Sequence, residues 1–335
     1  MISMLLQFLP FILILWLANM AEDRRYPEAP QLGRGFAIAS YLMLGLIYVM
    51  FFLGGLFLLT LSLLPAEILE PEPEVNVRLL GIGIWAPSLV GLLFFIPRVR
   101  RWIARAIPID PENPVHVISL SMSMLIILEL LMILGIGLEN LAAIGESENL
   151  SVSISELWTQ DIAMLLLGLI GVGWLSRRKF GESLARLGIV KPSVREIAFG
   201  LGIGLLLVAL AFGLEYVAAF FGISADPEVE ELTKQLLGSL FTTVPGILTL
   251  GLAAALGEET VFRGALQPRF GLLLTSLLFA LMHSNYGFSL STLIVFLVGL
   301  ALGVVRMRFN TSTAMVVHAT YNITLGVLAN VLPDF

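Results

Sequence analysis

The stretch GEETVFRG, Gly257 to Gly264, places three charged side chains inside an apolar run that extends over residues 247–266. These are Glu258, Glu259 and Arg263. Moving one charged group to the centre of a membrane costs at least about 2.5–3.5 kcal/mol. Ionisable groups at such depth are rare and usually functional, so this stretch predicts both a membrane-spanning helix and a functional site.

Helical geometry separates the roles of the two acids. Glu259 and Arg263 are four residues apart, so they share one face of a helix and can form an ion pair. Glu258 lies about 100° around the helix from Glu259 and cannot share that pair equally. We therefore predict a structural ion pair between Glu259 and Arg263. Glu258 is left for chemistry such as general-base catalysis, to which a desolvated carboxylate is suited.

The composition excludes a soluble globular protein. Of the 335 residues, 58% are hydrophobic and 13% are charged, and the mean hydropathy is +0.94. Apolar runs of about 18–25 residues recur without alternation, which favours transmembrane helices over a β-barrel. The absence of cysteine excludes disulfides and thiolate metal sites. No basic stripe with interleaved aromatic residues indicates nucleic-acid binding, so we expect no nucleic-acid partner.

We predict an all-α fold, a polytopic transmembrane helix bundle of about ten spans. The spans lie near residues 2–19, 36–64, 79–97, 115–138, 161–176, 197–221, 246–267, 270–286, 289–307 and 312–332. The second span is long enough to tilt, or to break at Gly54-Gly55. Spans seven and eight are expected to form a hairpin that turns at Pro268-Arg269.

The loops alternate in charge along the chain, and this predicts the topology. Basic residues follow spans one, three, five, seven and nine, most densely over 177–195. Acidic residues lie in the other connections, over 67–74, 139–161 and 226–231. Asp161 is the last acid of the connection over 139–161. By the positive-inside rule, the basic loops face the cytoplasm and both termini face out. We expect a multi-pass protein of the cell (plasma) membrane, with the lipid bilayer as its partner.

The chain divides near its longest polar connection. We predict an amino-terminal extension of about five spans over residues 1–176, and a second domain over 195–332 that holds nearly all the intramembrane polar groups. The acidic segment from Asp226 towards Leu237 is interpreted either as an amphipathic interfacial helix or as a solvated loop. Glu129 is a deep acid without an evident partner, and it is a candidate for lining a wet cavity.

Three more polar residues lie in the last spans at helical spacing. FALMH places His283 four residues after Phe279 on span eight, and HATYN places His318 and Asn322 on one face of span ten. At 1.5 Å per residue, these three and Glu258 lie about 12–20 Å from the nearest helix ends, so they converge near one depth. Hydrogen bonding between spans would explain any one of them, but four exceed what packing requires.

Such a cluster is suited to hydrolysis by an activated water. Glu258 can deprotonate a water that His283 also holds. His318 and Asn322 can donate to the oxyanion of a tetrahedral intermediate. A zinc mechanism is the alternative, since two His and a Glu form a known zinc set. We favour a site without metal or other cofactor, because an asparagine is not among the usual zinc ligands.

The three motifs together resemble those of a known family. GEETVFRG fits EExxxR, FALMH fits FxxxH and HATYN fits HxxxN, in the order found in the CPBP family. These are the CAAX-processing and bacteriocin-processing (ABI) intramembrane proteases, which include the Ras-converting CAAX endoprotease. The resemblance covers roughly residues 195–332.

The resemblance implies an intramembrane endopeptidase that acts on membrane-associated proteins or peptides. In that family's pattern, Glu258 and His283 activate the water. His318 and Asn322 form the oxyanion hole. The alternatives are a zinc-dependent version of the same protease, a transporter, and a non-catalytic membrane scaffold or bacteriocin-immunity protein. Against a transporter, the polar groups cluster at one depth and do not form a path across the membrane.

Overall fold

A computed structural model of the chain describes residues 2–22, 30–64, 75–147, 151–223 and 226–331. Helices dominate these residues, as the long apolar runs predict, since a helix satisfies its own backbone hydrogen bonds in lipid. The helices are α1 (Ile2–Ala21), α2 (Pro30–Leu61), α3 (Val77–Leu93), α4 (Pro97–Ile103), α5 (Pro114–Ile136), α6 (Leu138–Ser147), α7 (Ile154–Gly171), α8 (Phe180–Leu187), α9 (Val194–Phe220), α10 (Pro227–Phe241), α11 (Val244–Glu259), a π-helical segment (Thr260–Leu266), α12 (Gln267–Met282), a 3₁₀ turn (Ser284–Tyr286), α13 (Leu290–Arg308) and α14 (Thr311–Val331).

The structure has ten membrane-crossing helical segments when a helical stretch that folds back on itself is counted as two, and these correspond to the ten predicted spans. Within the described residues, eight helical stretches are long and apolar enough to cross a membrane, and the bent pair α3 and α4 adds a ninth. One of the eight, Val244–Met282, folds back on itself, because the rings of Phe262 and Phe279 lie only 5.4 Å apart. A straight helix would separate these residues by about 25 Å. Counting both limbs confirms an all-α, multi-pass membrane bundle of about ten spans.

The hairpin within this stretch reverses near Gly271, two residues after the predicted Pro268-Arg269 turn. Gly271 has φ +77° and ψ 173°, a conformation that glycine adopts without steric cost. Pro268 instead lies in the first turn of α12, where its missing N–H is not needed. The proline therefore starts a helix here, and the glycine makes the bend.

The second span is one continuous helix, so the break considered at Gly54-Gly55 does not occur. Gly55 serves close packing instead: a Cβ there would lie 2.6 Å from the backbone nitrogen of Trp85. The glycine thus lets the backbones of α2 and α3 approach each other.

The fifth span begins earlier than the predicted 161–176. Ser153 caps α7 and forms a capping box with Glu156, so the helix starts at Ile154 within a polar stretch. Asp161, which we assigned to an external acidic loop, therefore lies inside α7 and is only 1% exposed. The polar composition around it made this part of the helix resemble a loop.

The acidic segment after residue 226 forms a helix, which resolves the alternatives left by the sequence. The Asp226 side chain accepts a hydrogen bond from the Glu228 N–H at 3.0 Å and caps α10. Val229 and Leu232 of α10 pack against Leu138 of α6. The helical interpretation is therefore confirmed.

Candidate active site

The GEETVFRG stretch runs from the end of α11 into the π-helical segment. Glu258 and Glu259 are the last two residues of α11, and Arg263 lies in the middle of the π-helical segment. The sequence predicted an uninterrupted α-helix here, since π-helical turns are rare. They occur mostly as single turns inside α-helices, frequently at functional sites.

Glu259 and Arg263 meet as their spacing predicts. Arg263 Nε lies 3.3 Å from Glu259 Oε2, and both side chains are almost wholly buried. The guanidinium carbon of Arg263 also lies 4.3 Å from the centre of the Phe279 ring, a cation–π contact. The positive charge is therefore held between a carboxylate and an aromatic face, deep in the bundle.

His318 connects the two acids to the last helix. Its Nδ1 lies 3.1 Å from Glu259 Oε1, and its Nε2 lies 3.2 Å from the side-chain nitrogen of Asn322. Glu258 Oε2 is 4.0 Å from the same Nε2. Glu259 thus contacts both Arg263 and His318, and the second contact fixes the orientation of the imidazole ring.

Glu258 differs from its neighbour in its surroundings. It is 9% exposed and lines a cavity, whereas Glu259 is fully buried. Its Oε2 atom has no hydrogen-bond partner among the described residues. A buried carboxylate oxygen normally has such a partner, so Glu258 is placed to interact with a molecule in the cavity.

His283 reaches the same cavity from the end of α12. Its Nδ1 lies 2.9 Å from the Phe279 carbonyl oxygen, one helical turn back. The Phe279 ring lies between the two imidazoles, with centroids 5.1 Å from His283 and 5.9 Å from His318. Tyr286 stacks on His283 at 5.7 Å and also lines the cavity. Sequence reasoning missed Tyr286, which was the last residue of the predicted eighth span; in the structure it lies in the short 3₁₀ turn that follows α12.

The cavity has a volume of about 1080 Å³ and brings the four predicted residues to one wall. These are Glu258, His283, His318 and Asn322. The other walls come largely from the amino-terminal helices, with Phe8 of α1, Glu129 of α5 and Met164 of α7. Glu129 thus lines a cavity, as we considered from the sequence. The predicted extension over residues 1–176 forms part of the enclosure around the site.

Asp161 is a second carboxylate that sequence reasoning did not place near the site. A Cβ added to Gly257 would lie 2.5 Å from Asp161 Oδ1, so α7 and α11 touch directly before Glu258. The same Asp161 oxygen has no hydrogen-bond partner among the described residues. The carboxyl group is close enough to interact electrostatically with both Glu258 and His318.

The alternative zinc set consists of Glu258, His283 and His318. In the described part of the chain, no three His, Asp or Glu side chains are grouped so that they could hold one metal ion. The Nδ1 atoms of both histidines are engaged, His318 with a carboxylate and His283 with a carbonyl. A zinc site would therefore have to use the Nε2 atoms, together with a movement of the side chains.

Comparison with known proteins bears on the region that carries the three motifs. Residues 240–324 match the family model described as type II CAAX prenyl endopeptidase, Rce1-like. The match confirms the family resemblance. All seven residues that define the three motifs lie inside this Rce1-like region.

A curated relative also matches part of the chain. It is an uncharacterized 24.3 kDa protein of Escherichia coli, 32% identical over an alignment of 133 residues, and the match covers 35% of this chain and 60% of the relative. The chain thus spans less than two thirds of the length of that relative. No solved structure matches the chain.

Proposed function

We propose that this protein is an intramembrane endopeptidase that hydrolyses peptide bonds of membrane-associated proteins or peptides. The observation that carries the proposal is the arrangement around His318. Its Nε2 atom faces both Asn322, at 3.2 Å, and Glu258, at 4.0 Å, inside the cavity. The Rce1-like match supports the same class of activity.

In the proposed reaction, Glu258 is the general base. It takes a proton from a water that His283 also holds, and the water oxygen attacks the peptide carbonyl carbon. The carbonyl oxygen becomes an oxyanion. With His318 protonated on both ring nitrogens, its Nε2–H donates to the oxyanion, and the Asn322 amide, released from Nε2, donates a second hydrogen bond. When the C–N bond breaks, Glu258 returns its proton to the leaving amine. Asn322 also donates to the Leu250 carbonyl at 3.2 Å, which holds its side chain in place.

Glu259 and Arg263 have a structural role in this proposal. Glu259 orients His318, and Arg263 neutralises Glu259, so the pair supports the oxyanion site without touching the substrate. Because both side chains are buried, removal of either partner leaves an uncompensated charge in a medium of low dielectric constant.

The proposed mechanism needs no cofactor, and its main rival uses zinc. Elemental analysis of the purified, detergent-solubilised protein, with cleavage measured before and after a strong chelator, tests the proposal. We expect no stoichiometric zinc and chelator-resistant cleavage. Stoichiometric zinc together with activity that the chelator removes and added zinc restores would refute the metal-free mechanism.

A further inference from the structure

Arginine side chains from three segments line the cavity that holds the candidate active site. We call them the arginine cluster; they are Arg177, Arg178, Arg186 and Arg269. The first two follow α7, the third lies in the last turn of α8, and the fourth lies in the first turn of α12. Segments that are far apart in the chain therefore direct like charges to one cavity.

The cluster has an excess of positive charge. In the described residues, no carboxylate forms an ion pair with Arg178, Arg186 or Arg269. Arg178 donates to the Val172 carbonyl, and Arg186 reaches the Gly264 carbonyl at 3.4 Å. Burial and then the neighbouring guanidinium groups, above all that of Arg269, lower the pKa of Arg186 to about 10.

Among the residues that the structure describes, two carboxylates near the cluster leave it with an excess of positive charge. Glu22 interacts electrostatically with Arg177, and Asp110 contributes to the cavity wall. Four guanidinium groups and two carboxylates leave a net positive potential in a confined space. Such a potential attracts and concentrates anions.

Membrane topology alone does not explain this placement. The positive-inside rule requires arginines on one side of the membrane, but it does not require them to face a cavity. Arg101, Arg195 and Arg308 satisfy the rule as exposed residues away from the cavity wall. The arginine cluster therefore has a property that the loop charges in general do not share.

The cluster lies within reach of a peptide bound at the candidate active site. Arg186 contacts Gly264, which follows Glu258 by six residues, a helical rise of at most about 9 Å. A short extended peptide segment spans such a distance. Guanidinium groups bind carboxylates through paired hydrogen bonds, which gives both affinity and orientation.

We propose that the arginine cluster is an anion subsite that binds a carboxylate of the peptide substrate, while Glu258 acts on a nearby peptide bond. The proposal rests on the proposed endopeptidase function and names the kind of substrate end or side chain that the cavity selects. A lipid phosphate is the competing occupant of the arginine cluster, and peptide binding and lipid copurification distinguish the two.

Binding to the uncleaving Glu258→Gln protein tests the subsite independently of catalysis. The probes are two fluorescent peptides of one apolar sequence, one ending in a carboxylate and the other in an amide, and fluorescence anisotropy gives each Kd. We expect the acid to bind about tenfold more tightly than the amide. Adding Arg186→Gln or Arg269→Gln should remove this preference, and Arg308→Gln, an exposed arginine away from the cavity, should leave it intact.

A substitution at Arg186 that keeps the positive charge distinguishes loss of carboxylate binding from misfolding. Arg186→Lys should keep part of the preference, with a thermal midpoint like that of Arg186→Gln. Equal affinities for acid and amide, or a preference that survives both glutamine substitutions, would overturn the proposal. The proposal would also be overturned if mass spectrometry showed that phosphatidylglycerol copurifies with the parent protein but not with the two glutamine variants, while the peptide preference stayed unchanged.

The outcomes also separate this proposal from the proposed function. If the acid is preferred through Arg186 and Arg269 but the wild-type protein leaves every bound peptide intact, the subsite stands and the endopeptidase proposal fails. If the wild-type protein cleaves acid and amide with equal kcat/KM, the endopeptidase stands and the subsite is refuted.

Discussion

At the scale of single residues, two neighbouring acids have different surroundings and therefore different expected roles. Glu258 lines the cavity with one oxygen unpaired, whereas Glu259 is buried between His318 and Arg263. A carboxylate that lines a cavity is available to a water or a substrate there. A carboxylate with two partners is committed to the structure.

Glu258→Gln should abolish cleavage and leave the fold intact, because the amide keeps the shape of the side chain but cannot accept the proton of the water. We expect at least a 10²-fold loss of kcat, in line with the usual contribution of general-base catalysis. Turnover of a reporter peptide and the thermal midpoint of the purified protein measure the two effects. Glu215→Gln, at an exposed acid of α9, is the matched control.

Asp161→Asn should lower cleavage while it stabilises the protein. The wild-type carboxyl group is buried with an unpaired oxygen beside Gly257, which is costly, and the amide removes the charge at nearly constant volume. Loss of the Asp161 carboxylate changes the electrostatic field at Glu258 and His318. We expect the thermal midpoint to be unchanged or higher and the turnover to fall. A lower midpoint with unchanged turnover would show that Asp161 has only a structural role.

At the scale of elements, the site depends on close contacts among helices. Gly257 touches α7, Gly251 touches α14 through Ile323, and Gly303 lies against Leu272 of α12. These positions have no room for a side chain, so the backbones set the separation of the helices. The reactive residues are held at the same level as a consequence.

Gly257→Ala should destabilise the protein and reduce cleavage, since the new Cβ would lie 2.5 Å from Asp161 Oδ1 and 2.7 Å from its backbone oxygen. Overpacking of this kind typically costs about 1–3 kcal/mol. Gly202→Ala is the control, because a Cβ at Gly202 of α9 meets no atom within 4 Å. Thermal unfolding of both variants in detergent gives the comparison, and equal midpoints would contradict the close contact.

Arg263→Ala should lower the stability or the yield of folded protein. It removes the partner of a fully buried Glu259 and the contact with the Phe279 ring. Breaking a buried pair in this way typically costs about 3–5 kcal/mol. The double variant Arg263→Ala/Glu259→Gln should recover part of the loss, because no unpaired charge is then left. A stable, fully active Arg263→Ala protein would contradict the structural role.

The elements also show where sequence reasoning succeeds and where it stops. The i, i+4 spacing predicted the Glu259–Arg263 pair, and the apolar runs predicted the ten limbs, because both follow from local periodicity. The bond from Glu259 to His318 joins residues 59 positions apart and depends on tertiary arrangement. Asp161 was misplaced because the polar first turns of α7 resemble a loop.

At the scale of the whole molecule, the amino-terminal helices are part of the site's enclosure. The Rce1-like match covers residues 240–324, yet α1, α5 and α7 contribute walls of the cavity. The division into an extension over 1–176 and a domain over 195–332 stays a prediction. The structure shows that the two parts share one cavity.

The topology predicted from loop charge is testable, since the chain contains no cysteine. Single cysteines placed at exposed Lys191 and at exposed Glu228, followed by an impermeant thiol reagent on intact cells, report the side of each loop. We expect labelling at 228 and protection at 191, because basic loops remain in the cytoplasm. Labelling at position 191 from outside would contradict the predicted orientation.

In the proposed function, Glu258 drives peptide hydrolysis within the membrane. The most direct test of this role compares, by mass spectrometry, the peptide termini in membranes of cells that carry either the wild-type protein or Glu258→Gln at equal abundance. We expect a set of new termini in membrane-associated proteins that appears with the wild-type protein and is absent with the variant. Identical termini in the two membranes would contradict it.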